Sequence, residues 1–160
     1  MRIGAAVAAL LTAMPVASAA CPIELATYSE TETGIAVEFR PTVDSATVTN
    51  SFRFLAGDVV MDGIVMWTAG APRSWGVIMD GCPVGDLTGA EISACTVWEG
   101  VIYAADESGR IGLVPAEGEA APATLILSDL GGWLSQSDAW SRSGLAALPS
   151  DIVKLSGCQE

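Results

Sequence analysis

Four cysteines, at positions 21, 82, 95 and 158, set the strongest limit on what this chain can fold into. Their meaning depends on compartment, because thiols pair outside the reducing cytosol and stay free within it. The first nineteen residues address that question. Arg2 gives a positive start, residues 3–14 an apolar run, and Ala17-Ser18-Ala19 a small-residue cleavage signal, the three parts of a secretory leader. An apolar run of that length falls short of the roughly 20 residues that span a bilayer, so an anchor helix is the poorer reading. Cys21 stands where an exported protein can carry lipid, but the position three before it holds Ser18 instead of a large aliphatic residue, which disfavours lipidation.

The expectation is therefore a leader over residues 1–19 and one disulfide-stabilised, β-rich domain over 20–160, long enough to bury a real core. Four cysteines allow three connectivities. We expect Cys82 to pair with Cys95, closing a short insert, and Cys21 with Cys158, tying the two ends. No Cys-x-x-Cys pair occurs, so the thiols are read as structural, with no metal and no redox role.

Charge excludes further classes. Loss of the leader removes Arg2 and no acid, leaving six basic residues against nineteen acidic ones, a net of −13. Such a surface repels phosphate backbones and anionic lipid heads, so no nucleic-acid partner is expected, nor membrane insertion after leader removal. The acids are scattered singly, a pattern that keeps a protein soluble.

From residue 23 onward the texture is that of strands: short runs of Val, Ile, Thr and aromatics between Gly, Pro, Asp and Ser. Residues 35–40 read as a strand stopped by Pro41. Ala46, Val48, Asn50, Phe52 and Phe54 alternate with Thr47, Thr49, Ser51 and Arg53, which predicts a half-buried strand with Asn50 on its inner face. Residues 59–67 and 75–79 follow, and Asp62-Gly63, Asp80-Gly81 and Glu99-Gly100 recur along this stretch as sites for a bulge or bend. Thr88 and Glu91 form a capping box for a short helix between Cys82 and Cys95. Residues 97–104 and 110–114 are a predicted hairpin, with Gly109 in its turn. Residues 115–122 connect to a strand at 123–127, Ser128-Asp129 are expected to cap a helix carrying Leu130, Trp133 and Leu134, and 151–155 is a last strand. Gly131-Gly132 weakens that helix by about 2 kcal/mol, so packing has to hold it.

Chemistry is bounded mostly by what is missing. The chain contains no histidine, which removes Ser-His-Asp and Cys-His nucleophiles and the common neutral-pH base. Ser150 and Lys154 lack the convergence a serine–lysine pair requires, and no phosphate-binding Gly-Lys-Ser/Thr run exists. Asp58 with Asp62, or Asp80 with Asp86, lacks the ligand alternation of a calcium loop. Carboxylate chemistry remains, with Asp62, Asp80, Glu99 and Asp106 beside bends, as in a glycosidase.

Five tryptophans are many for this length. Trp67 and Trp98 lie in apolar runs and are expected in the core; Trp75 and Trp140 have small polar neighbours and are expected to be partly exposed binding residues. The fold class expected is mainly β, with α+β as the alternative: a small antiparallel sandwich or partly open barrel of seven to nine strands with one or two short helices. The function expected is a non-catalytic binding or interaction module, periplasmic or extracellular, with an envelope protein or small ligand as partner and no cofactor. The alternatives are a carboxylate-based, glycosidase-like hydrolase and a small-ligand-binding β-barrel.

Overall fold

The computed structural model describes residues 20–43, 45–68 and 70–160, so the leader reading at 1–19 lies outside the described residues. Nine strands pair antiparallel throughout: β1 (Ala26–Ser29), β2 (Ala36–Arg40), β3 (Val48–Ala56), β4 (Val59–Trp67), β5 (Ser74–Met79), β6 (Thr96–Ala105), β7 (Ile111–Leu113), β8 (Thr124–Leu127) and β9 (Ile152–Cys158). Eight of them close on themselves in the order β1-β2-β3-β4-β5-β6-β8-β9, with β9 returning to β1. The expected β class holds, and the barrel is closed rather than partly open. There are three short helices, not one or two: α1 (Gly89–Cys95), α2 (Leu130–Leu134) and α3 (Asp138–Arg142).

Closure depends on what fills the interior. An eight-stranded barrel encloses a space just wide enough for its own side chains. Tyr28, Phe39, Phe52, Phe54 and Trp98 all point inward and are fully buried, together with Met61, Ile78, Ile102, Leu125 and Val153. Rings of that size need depth, and strand glycines supply it. A Cβ at Gly63 would lie inside the Phe52 ring, 2.5 Å from its Cδ2. At Gly76 it would lie 2.5 Å from Ile102 Cδ1 and 2.8 Å from Trp98 Cζ3, and at Gly100 2.9 Å from Trp98 Cζ2. Gly63 and Gly100 are thus not bends, as their acid–glycine context suggested, but seats for aromatic rings. Gly81, with φ +62°, does sit in a turn.

The two ends are closed by different devices. At the end where the termini meet, Ile23 is fully buried in a 3-10 turn (Ile23–Leu25) before β1. There β6 pairs with β5 through residues 96–101 and with β7 through 103–105, while its other edge takes β8. Val114 N–H donates to Ser74 Oγ at 3.0 Å, stitching β7 to the start of β5. Residues 115–122 then cross the mouth as a strap. Pro115 O accepts from Asn50 Nδ2 at 3.1 Å, Glu119 O from Ile23 N–H at 2.9 Å, and Pro122 O from the Tyr28 hydroxyl at 2.9 Å. Asn50 is buried as predicted; its Oδ1 has no partner. Burial pushes the Tyr28 phenol well above its usual pKa, so that group stays protonated and donating.

At the opposite end α2 and α3 plug the barrel with Leu130, Leu134, Ala139 and Trp140, all buried. Ser128 and Asp129 do not cap α2 as the sequence suggested. Ser128 Oγ donates to Val101 O, and Asp129 adopts the left-handed conformation (φ 58°). Asp151, from the start of β9, accepts from the N–H groups of both Asp129 and Leu130 at 2.9 Å. The weak Gly131-Gly132 pair is explained by crowding: a Cβ at Gly131 would come 2.8 Å from Pro149 O, and one at Gly132 would overlap the Asp129 carboxylate. The predicted capping box of α1 is present in full.

Both expected disulfides are formed. Cys21–Cys158 fastens the two termini beside β1 and β9, and Cys82–Cys95 closes the insert that carries α1, a helix with no buried residue. Such pairing is consistent with a location outside the reducing cytosol.

Gly63→Ala is predicted to destabilise the protein by about 3 kcal/mol or more, because the Phe52 ring is rigid and packed against Phe39. Gly112→Ala, where a Cβ meets nothing, is the neutral control. Denaturant unfolding with a Phe52→Leu double-mutant cycle checks this: the cost of Gly63→Ala should shrink when the ring is absent.

Candidate functional site

With the interior occupied by side chains, candidate binding surfaces lie outside the barrel. The wall is two-sided. Across β1 to β4, the outward row Thr27, Glu38, Arg53 and Asp62 is polar and charged, and Arg40 Nη2 pairs with Asp62 at 2.6 Å. Across β4 to β6 the outward rows turn apolar: Met66, Trp75 and Val101 stand in register, with Ile64 and Val77 in the next row before Glu99. Tyr103 continues the band toward Ile126 on β8 and Ile152 on β9. Trp75, singled out from the sequence, sits at the centre of this band and is half-buried among its neighbours.

Trp140 is different. It was expected near the surface, but it is 8 % exposed and belongs to the core at the helical end. Ser137 caps α3 by accepting the Trp140 N–H, which turns this short helix so that Ala139 and Trp140 face the barrel. Small polar neighbours in sequence say little about a residue on one face of a helix. Trp98 is buried as expected, its indole N–H donating to Ser128 O at 3.1 Å, whereas Trp67 stands at the rim, 51 % exposed.

Sequence reasoning gave Trp133 no binding role, yet this residue lines a large concavity. A groove of about 620 Å³ runs between the Cys82–Cys95 insert and the α2–α3 pair, lined by Trp133, Thr96, Gln136 and the carboxylates of Asp80, Asp129 and Asp138. A neighbouring hollow of about 250 Å³ shares Trp133 and Thr96 and adds Ile92 and Glu99. The signal for Trp133 was present in its spacing from Leu130 and Leu134. The two leucines are buried, and Trp133, adjacent to Leu134, is left 40 % exposed.

The four carboxylates picked out for acid–base work are each committed elsewhere or open to solvent. Asp62 is paired with Arg40, Asp80 with Arg142 and Asp106 with Arg110, while Glu99 is exposed on the outer wall. Asp80 and Asp106 lie toward opposite ends of the barrel. A general acid at neutral pH needs a raised pKa, and the shifts found here run the other way. Asp106 is held far below the usual carboxylate range by the Ser108 hydroxyl, then by the Arg110 guanidinium and backbone N–H. Glu91 is lowered by the Thr88 backbone and side chain within the capping box. Ser150 turns its hydroxyl onto Ile152, away from any base role for Lys154. No group of three or more His, Cys, Asp or Glu side chains is assembled to hold a metal ion among the described residues.

No protein-family model, curated protein or solved structure matches this chain.

Because the folded pKa of Asp106 lies far below its unfolded value of about 3.9, its stabilisation is complete above that value and is lost progressively as pH falls below it towards the folded pKa. The melting temperature of Asp106→Asn should therefore lie below that of wild type near neutral pH, and the gap should narrow steadily on acidification below about pH 4. Parallel thermal melts across that range check the sign.

Proposed function

We propose that this chain is a non-catalytic binding module of the cell envelope, exported by its leader and working in the periplasm or outside the cell. The observation that carries this reading is the register row Met66–Trp75–Val101, an apolar strip on the outside of a barrel whose inside is already full. A side chain costs free energy when it leaves an apolar face in water, and a band spanning several strands marks a surface that partners cover. The surround is acidic, with Glu99 beside the strip and a net charge of −12 over the whole chain. The matching partner is an envelope protein that presents an apolar patch ringed by basic side chains. The two disulfides support an oxidising location, and the Ala17-Ser18-Ala19 signal supports export.

The test is capture from native envelope extract by immobilised mature protein, followed by titration with the purified partner. Trp75→Ala should weaken that titrated affinity by at least about tenfold while leaving the melting temperature near wild type. Unchanged affinity in a folded Trp75→Ala variant would remove this reading.

A further inference from the structure

We propose that the groove between the Cys82–Cys95 insert and the α2–α3 pair is a second docking surface, and that it takes an extended basic peptide segment through an arginine or lysine seated on Trp133. This surface borders the Trp75 strip at Glu99 but has its own aromatic anchor, Trp133, and does not depend on Trp75.

Three observations converge. Trp133 and Ile92 are each 40 % exposed although they line concave surface, so apolar side chains that packing could have buried are instead presented to solvent. Among aromatic side chains, an indole face is the strongest partner for a guanidinium or ammonium group. Acidic residues line both hollows together with Trp133: Asp129 and Asp138 the larger, Glu99 the smaller. Arg142 is engaged by Asp80 and lines neither hollow. The groove's charge therefore complements a cation, and the exposed parts of Trp133 and Ile92 complement the stem that carries the cation.

Shape selects a peptide over a small cation. The two hollows, of about 620 and 250 Å³, share Trp133 and Thr96, which gives room for adjacent side chains of an extended chain. The walls are also preformed. Asp151 clamps the first N–H groups of α2, Gly131 abuts Pro149 O, and α1 is held by its capping box and the Cys82–Cys95 bridge. A preformed site loses less ordering entropy on binding.

The experiment uses the intact mature protein and two peptides labelled with fluorescein at the N-terminal amine, Ala-Arg-Leu-Arg-Ala-amide and its glutamine counterpart, in fluorescence anisotropy titrations. The arginine peptide should bind saturably and more weakly at higher salt, as expected for exposed charges. Trp133→Ala should weaken it about tenfold. Asp129→Asn, which keeps a residue type tolerant of the left-handed conformation, should weaken it by about threefold. Trp75→Ala should leave it unchanged, which separates this surface from the one on the outer wall. Equal binding of the glutamine peptide, absence of binding by either peptide, or a folded Trp133→Ala variant that binds as wild type would each overturn the proposal.

Discussion

The seating of large aromatic rings on strand glycines is the constraint on which the rest of this structure depends. Phe52 lies over Gly63, and Trp98 lies over Gly76 and Gly100, so the β3 ring seats on neighbouring β4 and the β6 ring on neighbouring β5 and on β6 itself. Any side chain at those glycines would hold the strands apart or force the rings out. With the rings seated, β5 pairs with β6, β9 pairs with β1 and the sheet closes without a long exposed edge. Closure in turn leaves two mouths, one covered by the 115–122 strap and Ile23, the other by α2 and α3. The insert closed by Cys82–Cys95 contributes no buried helical residue, and so is free to shape the groove beside Trp133.

Much of the local structure was legible in the chain. The alternation at 46–54 marks β3 and places Phe52, Phe54 and Asn50 inside; Thr88 and Glu91 mark α1; Gly109 marks the β6–β7 turn. These features are written in neighbouring residues, where period and capping chemistry act. The disulfides were legible for a different reason, because an expected export and widely spaced thiols leave few sensible pairings. What escaped sequence reasoning is non-local. Asp151 caps a helix that begins twenty-one residues earlier, at Leu130, and Gly63 and Gly76 serve rings on neighbouring strands. The placement of Trp67 at a rim and Trp140 in the core depends on where each strand ends and how α3 is turned. No local window contains that information.

The same logic governs the functional surfaces. Trp75 could be picked out from its small polar neighbours, but the in-register row that gives it meaning comes from strand pairing with Met66 and Val101. Trp133 carried no sequence signal beyond a helical spacing that reads equally as core. Its exposure follows from the way Leu130 and Leu134 take the inner face of a five-residue helix. Ion pairing explains why acids beside bends do not read as catalytic here: Arg40, Arg110 and Arg142 each take one. A filled barrel with paired acids leaves its apolar outer rows as the surface on which the proposed binding rests.

That account is tested most directly by asking whether the barrel interior accepts a guest. Methyl NMR spectra of Ile78, Ile102, Leu125 and Val153 should be recorded while the mature protein is titrated with a long-chain fatty acid and, separately, under xenon pressure. The account predicts that these inward-facing methyl signals stay in place in both titrations, because no room remains among the rings. Saturable shifts of those four signals with either guest would contradict it, and would make the inside of the barrel the binding site.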